Sequence, residues 1–284
     1  MTLLKDVESG LHEFLKNNST RRVAFITSGG TQVPLEKNMV RFIDNFSMGT
    51  RGAVSAEFFL RGGYAVIFMH REDSLKPFSR RFNNLFDSLE IAGDEVVCQL
   101  PGLKEAVQDH RTYSDRIFYV SFKTLDQYMS SLEKVCNEVK HFGSLVLVYL
   151  AAAVSDFYVT QETMPTHKMS SDKDLSLRLS LAPKVIERVV NSYVPHAFVT
   201  SFKLETDEGK LIPKAAAALE KYKHQLVIAN ILESRKRRVV FVQRNADAEV
   251  ITLSPEKLAQ GAEIEELIID RLTQLHEDFI AHNN

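Results

Sequence analysis

The chain has 284 residues, 44% hydrophobic and 25% charged, enough to bury a sizeable core without disulfide or metal staples. Its 35 basic and 37 acidic side chains leave a net charge of -2, which excludes a global field able to recruit nucleic acid or an anionic membrane. The 2 cysteines, Cys98 and Cys136, and the 9 histidines form neither a disulfide framework nor a zinc-like spacing.

Leu3, Leu4, Val7, Leu11, Phe14 and Leu15 recur at helical spacing and predict an amphipathic helix over 2–18. The early carboxylates Asp6 and Glu8 argue against a secretory or mitochondrial leader, and with the unpaired cysteines they predict a cytoplasmic protein. A buried strand is expected at 23–27, then a hydroxyl-rich loop and a helix around 53–61 closed by Gly62 and Gly63. A second apolar strand at 64–69 completes a β-loop-α-β unit with the length of a right-handed parallel crossover.

Residues 71–116 break the rhythm and read as an insertion with its own helical pieces, one of them near 103–107. Regularity returns with a strand at 117–122, a helix at 125–139 and a strand at 145–152. The apolar run 145–154 is about half a bilayer crossing, so it reads as a central strand covered on both faces and not as a membrane span. Residues 155–173 are irregular and polar. Leu175, Leu177, Leu179 and Leu181 then alternate at period two and predict a half-buried edge strand.

A helix at 185–191, a strand at 197–202, a helix at 212–222 and a strand at 226–231 follow. The runs 239–243 and 249–253 flank Asn245 and Asp247 as a hairpin, and a long helix over 264–280 closes the chain. The whole of 1–284 thus reads as a single α/β domain: a doubly wound, mostly parallel Rossmann-like sheet with helices on both faces and a small extra lobe or flap.

One stretch concentrates rare turn residues, a carboxamide, a hydroxyl and a cation: Asp44-Asn45-Phe46-Ser47-Met48-Gly49-Thr50-Arg51-Gly52. It lies between a loop of Gly and Ser and a helix N-terminus, where backbone N–H groups and the helix dipole favour an anion. In open α/β sheets ligands sit beyond the C-terminal strand ends. Four such ends carry unusual polar residues: 28–31, 152–156, 202–207 and 229–235. No Walker loop or Gly-x-Gly-x-x-Gly helix start is present, which weakens an NAD(P)-binding Rossmann-like protein as the alternative.

Taken singly, these residues also have plain structural readings. Gly49 and Gly52 could only turn the chain, Phe202 and Ala152 could be core, Asp156 an Asx-turn or helix cap, and Lys168 solvated surface. Arg235-Lys236-Arg237-Arg238 reads as a solvated turn between strands, and no aromatic interleaving supports RNA binding.

Together the segments Ser28-Gly29-Gly30-Thr31, 44–52, 149–156 (Tyr-Leu-Ala-Ala-Ala-Val-Ser-Asp), 201–207 (Ser-Phe-Lys-Leu-Glu-Thr-Asp) and 229–235 (Ala-Asn-Ile-Leu-Glu-Ser-Arg) resemble phosphopantothenate-cysteine ligase in its eukaryotic, single-function form. The resemblance runs from about residue 20 to the C-terminal helix. It implies a homodimer that activates 4'-phosphopantothenate with ATP, or CTP, in the presence of magnesium, and then joins the acyl group to L-cysteine. It matches Gly29, Ser47, Gly49 and Gly52 to triphosphate contacts, and Phe202 and Asn230 to the base and ribose. Ala152, Ala153 and Asp156 match positions around the phosphopantothenate. Asn45 matches an asparagine that reaches the partner subunit's substrate, and Lys168 a catalytic lysine on a flap. Met48 and Thr50 depart from the family pattern, where a small and a basic residue are expected; the contact residues on either side are intact, so these read as tolerated changes that bear on nucleotide affinity.

Overall fold

A computed structural model of the chain describes residues 2–172 and 174–283. Its framework is an eight-stranded sheet made of β1 (Val23–Ser28), β2 (Ala65–Arg71), β3 (Ile117–Phe122), β4 (Val146–Leu150), β5 (Phe198–Glu205), β6 (Leu226–Ile231), β7 (Arg238–Val242) and β8 (Glu249–Thr252). The spatial order is β8-β7-β6-β5-β4-β1-β2-β3. β1 to β6 pair in parallel, and β7 and β8 add antiparallel, as the hairpin reading expects.

The central strands are apolar throughout because both of their faces are covered. Ala24, Ile26, Leu147 and Tyr149 point to the face covered by α2 (Thr50–Arg61) and by the C-terminal helix Ile264–Asn283. Val23, Phe25, Val146 and Val148 point to the other face, under the N-terminal helix α1 (Thr2–Asn17) and the helix Leu125–Val139. Strand side chains alternate while crossover helices load both sides, so the doubly wound reading stands. Chain order reverses between β1 and β4, which puts the topological switch point at the loops following those two strands.

Local signals explain most boundaries. The helix Leu125–Val139 starts on Thr124, whose side chain accepts from Gln127 N–H while the Gln127 side chain returns the bond, a complete capping box. The helix Glu208–Tyr222 begins on Asp207, whose carboxylate accepts from Gly209 N–H, and it starts four residues before the expected 212. Pro213 lies inside this helix, beyond its first turn, and leaves the carbonyl of Gly209 without its intrahelical donor.

One expectation fails and two hold only in part. Residues 175–181 do not form an edge strand: only Ser180–Leu181 pairs, antiparallel with Phe157–Tyr158, and all four leucines are exposed. Alternation predicts a pleat only where a neighbouring edge is within reach to pair with, and this segment pairs with neither edge strand of the main sheet, β3 or β8. The helix expected at 185–191 is α-helical only over Val185–Arg188 and continues as a π-turn over Val189–Tyr193. The insertion at 71–116 holds the expected helix, Leu103–Thr112, but also a hairpin of Leu89–Ala92 and Glu95–Cys98 that helical reading overlooked. A further short hairpin, Gln32–Pro34 with Phe42–Asp44, forms an arm directly after β1.

Candidate active site

Two loops meet at the switch point, and the hydroxyls of the β1 loop lace it to the β4 loop. Ala153 N–H donates to Gly29 O at 2.8 Å and Thr31 N–H to Ala153 O at 3.1 Å. Ala152 N–H donates to Thr27 Oγ1 at 3.2 Å, and Ser155 N–H to Thr31 Oγ1 at 3.0 Å. Asn45 N–H donates to Thr31 O at 3.1 Å, which lays the start of the 44–52 stretch across the same loop.

The glycines answer to close approach. A Cβ on Gly30 would stand 1.6 Å from Asn45 O, and one on Gly52 would stand 2.5 Å from Ser28 Oγ. Gly49 has φ 79°, and a Cβ there would meet Ser28 Oγ at 2.8 Å and Gly29 N at 3.2 Å. Ser28 Oγ in turn donates to Gly49 O at 3.0 Å. α2 is thus drawn down onto the end of β1 with only the small Ser28 side chain between them. The first turn of α2 carries no side-chain cap. Its unpaired N–H groups and the positive end of its dipole are therefore left beside the Gly29 loop. Ser47 Oγ lies 3.4 Å from Gly49 N.

Phe202 stands on β5 one strand beyond β4, edge-to-face with buried Tyr149 at 5.0 Å between centroids. The Tyr149 hydroxyl shares a 2.9 Å hydrogen bond with Ser55 Oγ of α2. Asn230 lies on the neighbouring β6 and is 5% exposed. Both occupy the C-terminal halves of their strands, on the edge of the sheet that carries the two loops.

Asp156 and Lys168 sit farther out. The Asp156 carboxylate is exposed and forms an ion pair with Lys184, while its backbone carbonyl accepts from Ala182 N–H at 2.8 Å. Lys168 is exposed on the segment 165–169, which is docked onto the arm. Lys37 N–H donates to Pro165 O at 2.9 Å, and Arg41 Nη1 to Met169 O at 3.1 Å. At the centre of this contact is Glu36, whose buried carboxylate accepts from Arg41 N–H at 2.8 Å and from the Arg41 guanidinium at 3.0 Å. Burial raises the Glu36 carboxyl, but the backbone donors of Arg41 and Met169 and the Arg41 charge outweigh it and hold it below its ordinary value.

The structure therefore brings Gly29, Asn45, Ser47, Gly49, Gly52, Ala152 and Ala153 into one contiguous group, with Phe202 and Asn230 alongside it. Asp156 and Lys168 belong to a rim of short strands and docked segments. Sequence reading left Ser28, Arg51 and Lys184 without roles. Arg51 had a legible signal, because a cation in the first turn of a helix opposes the dipole and needs a reason. Lys184 had none, since its meeting with Asp156 depends on the fold of the intervening chain. Cys136 is buried, which pushes its thiol up and leaves it inert. Arg235 to Arg237 lie in an exposed turn, and Arg238, which opens β7, pairs with Glu208 at 2.5 Å.

Among the described residues no group of three or more His, Cys, Asp or Glu converges as a metal site. A cavity of 270 Å³ between the arm, Thr124 and Tyr158 contains none of the nominated residues.

Comparison with known proteins follows the same lines. Residues 124–274 match the family model of the DNA/pantothenate metabolism flavoprotein C-terminal domain. Over 278 residues the chain is 42% identical to the phosphopantothenate--cysteine ligase of Mus musculus, covering 93% of this chain and 89% of that protein. It is 39% identical to phosphopantothenate--cysteine ligase CAB2 of Saccharomyces cerevisiae, covering 99% of this chain and 83% of the other. A solved structure of a Cab2 mutant in complex with phosphopantothenate-cysteine superposes with a TM-score of 0.88 at 37% identity, covering 99% of this chain and 96% of that one.

Proposed function

The chain belongs to the phosphopantothenate-cysteine ligase family, and from that premise we propose that it couples 4'-phosphopantothenate to L-cysteine for coenzyme A synthesis in two chemical steps. In the first, the substrate carboxylate attacks the α-phosphorus of ATP, or of CTP, and pyrophosphate leaves. In the second, the cysteine amine attacks the acyl-nucleotidyl carbonyl, loses a proton and expels the nucleoside monophosphate, which leaves an amide. A carboxylate is a poor electrophile at neutral pH, and the mixed anhydride splits one difficult step into two easier ones.

The observation that carries this reading is the uncapped α2 N-terminus seated on the Gly29 loop at the switch point. In it, Gly29, Gly49 and Gly52 offer backbone N–H groups to the triphosphate and Ser47 a hydroxyl. Phe202 and Asn230 lie where base and ribose would follow along the sheet edge. Ala152 and Ala153 keep the β4 loop low enough for the pantothenoyl arm to lie against backbone. Asp156 accepts from that substrate, with Lys184 beside it. Lys168 supplies a point charge as pyrophosphate leaves. Magnesium would be carried by the triphosphate oxygens, since the residues nearby fit a phosphate cradle and not a carboxylate cage; there it would neutralise phosphate charge.

The reading includes a homodimer in which Asn45 of one subunit polarises the acyl carbonyl bound by the other. Support comes from the arm next to Asn45, which exposes Met39, Val40, Phe42, Phe46 and Met48, with Phe46 82% exposed. The bare leucines 175–181 extend the apolar surface available for such contact. Among the described residues no helix is long and apolar enough to cross a membrane. A cytoplasmic location is part of the proposal, on the strength of the two unpaired cysteines. An NAD(P)-binding protein would share the sheet order, but this chain lacks the dinucleotide loop.

The deciding experiment supplies ATP or CTP with magnesium, 4'-phosphopantothenate and cysteine. Pyrophosphate should appear only when the acid is present, and the amide only when cysteine is added. No pyrophosphate with either nucleotide would reject the reading.

A further inference from the structure

Arg51 is the second residue of α2, where the helix dipole disfavours a cation. Its guanidinium is nevertheless held there by partners from three distant parts of the chain. Nη1 donates to Glu265 Oε1 at 2.9 Å, at the start of the C-terminal helix. Nη2 donates to Arg235 O at 2.7 Å, in the turn that follows β6 and Asn230. Arg51 Cζ also lies over the Phe202 ring, 5.7 Å from the centroid.

This is a built arrangement and not a loose surface pair. The Arg51 and Glu265 side chains are only 17% and 11% exposed. Burial pushes the Glu265 carboxyl up while the Arg51 charge pulls it back, as expected of a shielded pair. Two donors used in two directions beside an aromatic ring are a task for a fork and not for an ammonium.

We propose that Arg51 is a positioning residue for nucleotide recognition: it registers the Phe202 ring and the turn after Asn230 against the N-terminus of α2. The inference rests on the ligase reading, in which α2 meets the phosphates and Phe202 the base. Base and phosphates are joined by a ribose of fixed length, so both ends bind well only if the two protein surfaces hold a fixed separation. Arg51 is the side chain that spans them, and the C-terminal helix anchors it through Glu265.

The test compares Arg51→Met, Arg51→Lys and Glu265→Gln in the full chain. Measurements are ATP and CTP binding by calorimetry, steady-state pyrophosphate release and melting temperature. Arg51→Met should weaken ATP binding and raise the nucleotide KM about tenfold, equivalent to losing one good charge-assisted contact, and should narrow any preference between ATP and CTP. The KM for 4'-phosphopantothenate should stay within about twofold. Arg51→Lys should recover part of the loss, and Glu265→Gln should reproduce part of it. Unchanged nucleotide affinity in a folded variant overturns the proposal, as does an activity loss that only tracks melting temperature or falls equally on both substrates. Should Arg51→Met fail to fold, Arg51→Lys and Glu265→Gln decide by the same criteria. A wild-type chain that binds ATP but releases no pyrophosphate rejects the ligase chemistry, while the calorimetric comparison still judges Arg51.

Discussion

Ser28 is the residue against which the helix start is sized. A methyl group at Gly52 would sit 2.5 Å from its Oγ and 2.6 Å from its Cβ, contacts that must displace either α2 or the end of β1. Gly52→Ala should therefore destabilise the fold by about 1–3 kcal/mol, the usual cost of overpacking, although alanine is the better helix former. Removing the obstruction with Ser28→Gly should make the double variant more stable than the sum of the single changes allows. A denaturant double-mutant cycle measures this, and additivity within about 0.5 kcal/mol would refute the contact as the cause. The composition of 28–31 and 44–52 was plain in the sequence as turn-rich and small. That Gly49 and Gly52 face Ser28 was not, because nothing local says which loop abuts which helix.

Among the elements, the arm and the 165–169 segment depend on one carboxylate. Glu36 gathers donors from Arg41 and Met169, and Arg41 is the charged group that faces it. Its folded-state value is lowered, so its contribution to docking is present above the ordinary carboxylate range and is lost as pH falls through that lowered value. Glu36→Gln should speed amide hydrogen exchange over 36–41 and 165–169 at neutral pH while leaving β1 and β4 protected. Equal exchange in variant and wild type would show that the carboxylate does not hold the segments together. The leucine row at 175–181 teaches the complementary lesson. Its period of two is a true strand signal, yet only its last two residues find an edge to pair with.

For the whole molecule, acid stability should be set by two buried histidines outside the candidate site. His224 shares a 2.8 Å hydrogen bond with Ser201 Oγ, and burial, aided by Arg244, pushes it down to about 4. His276 lies between the Tyr64 hydroxyl and Ser144 O, and burial, aided by Arg22, likewise outweighs the Ser144 bond and leaves it at about 4. Both are neutral in the folded chain and take up protons near 6.5 when unfolded, so the unfolded state binds more protons between about 4 and 6.5. Stability should fall as pH drops through that window, by up to roughly 3 kcal/mol for each histidine. Unfolding midpoints that stay flat from pH 6.5 to 4.5 would contradict the assignment.

By itself, the sequence determined the succession of strands and helices, the parallel sheet covered on both faces, and the polar strand ends where a ligand belongs. These follow from period, glycine punctuation and the handedness of crossovers, all of which act within short stretches of chain. Tertiary structure alone decided how those ends meet. The fit of α2 on Ser28, the Arg51 clasp on Glu265 and Arg235, the Asp156–Lys184 pair and the bond from Met169 to Glu36 all join segments that meet only once the sheet and its loops are packed. Strand order brings such residues together, and neither local propensity nor hydrophobic pattern carries it.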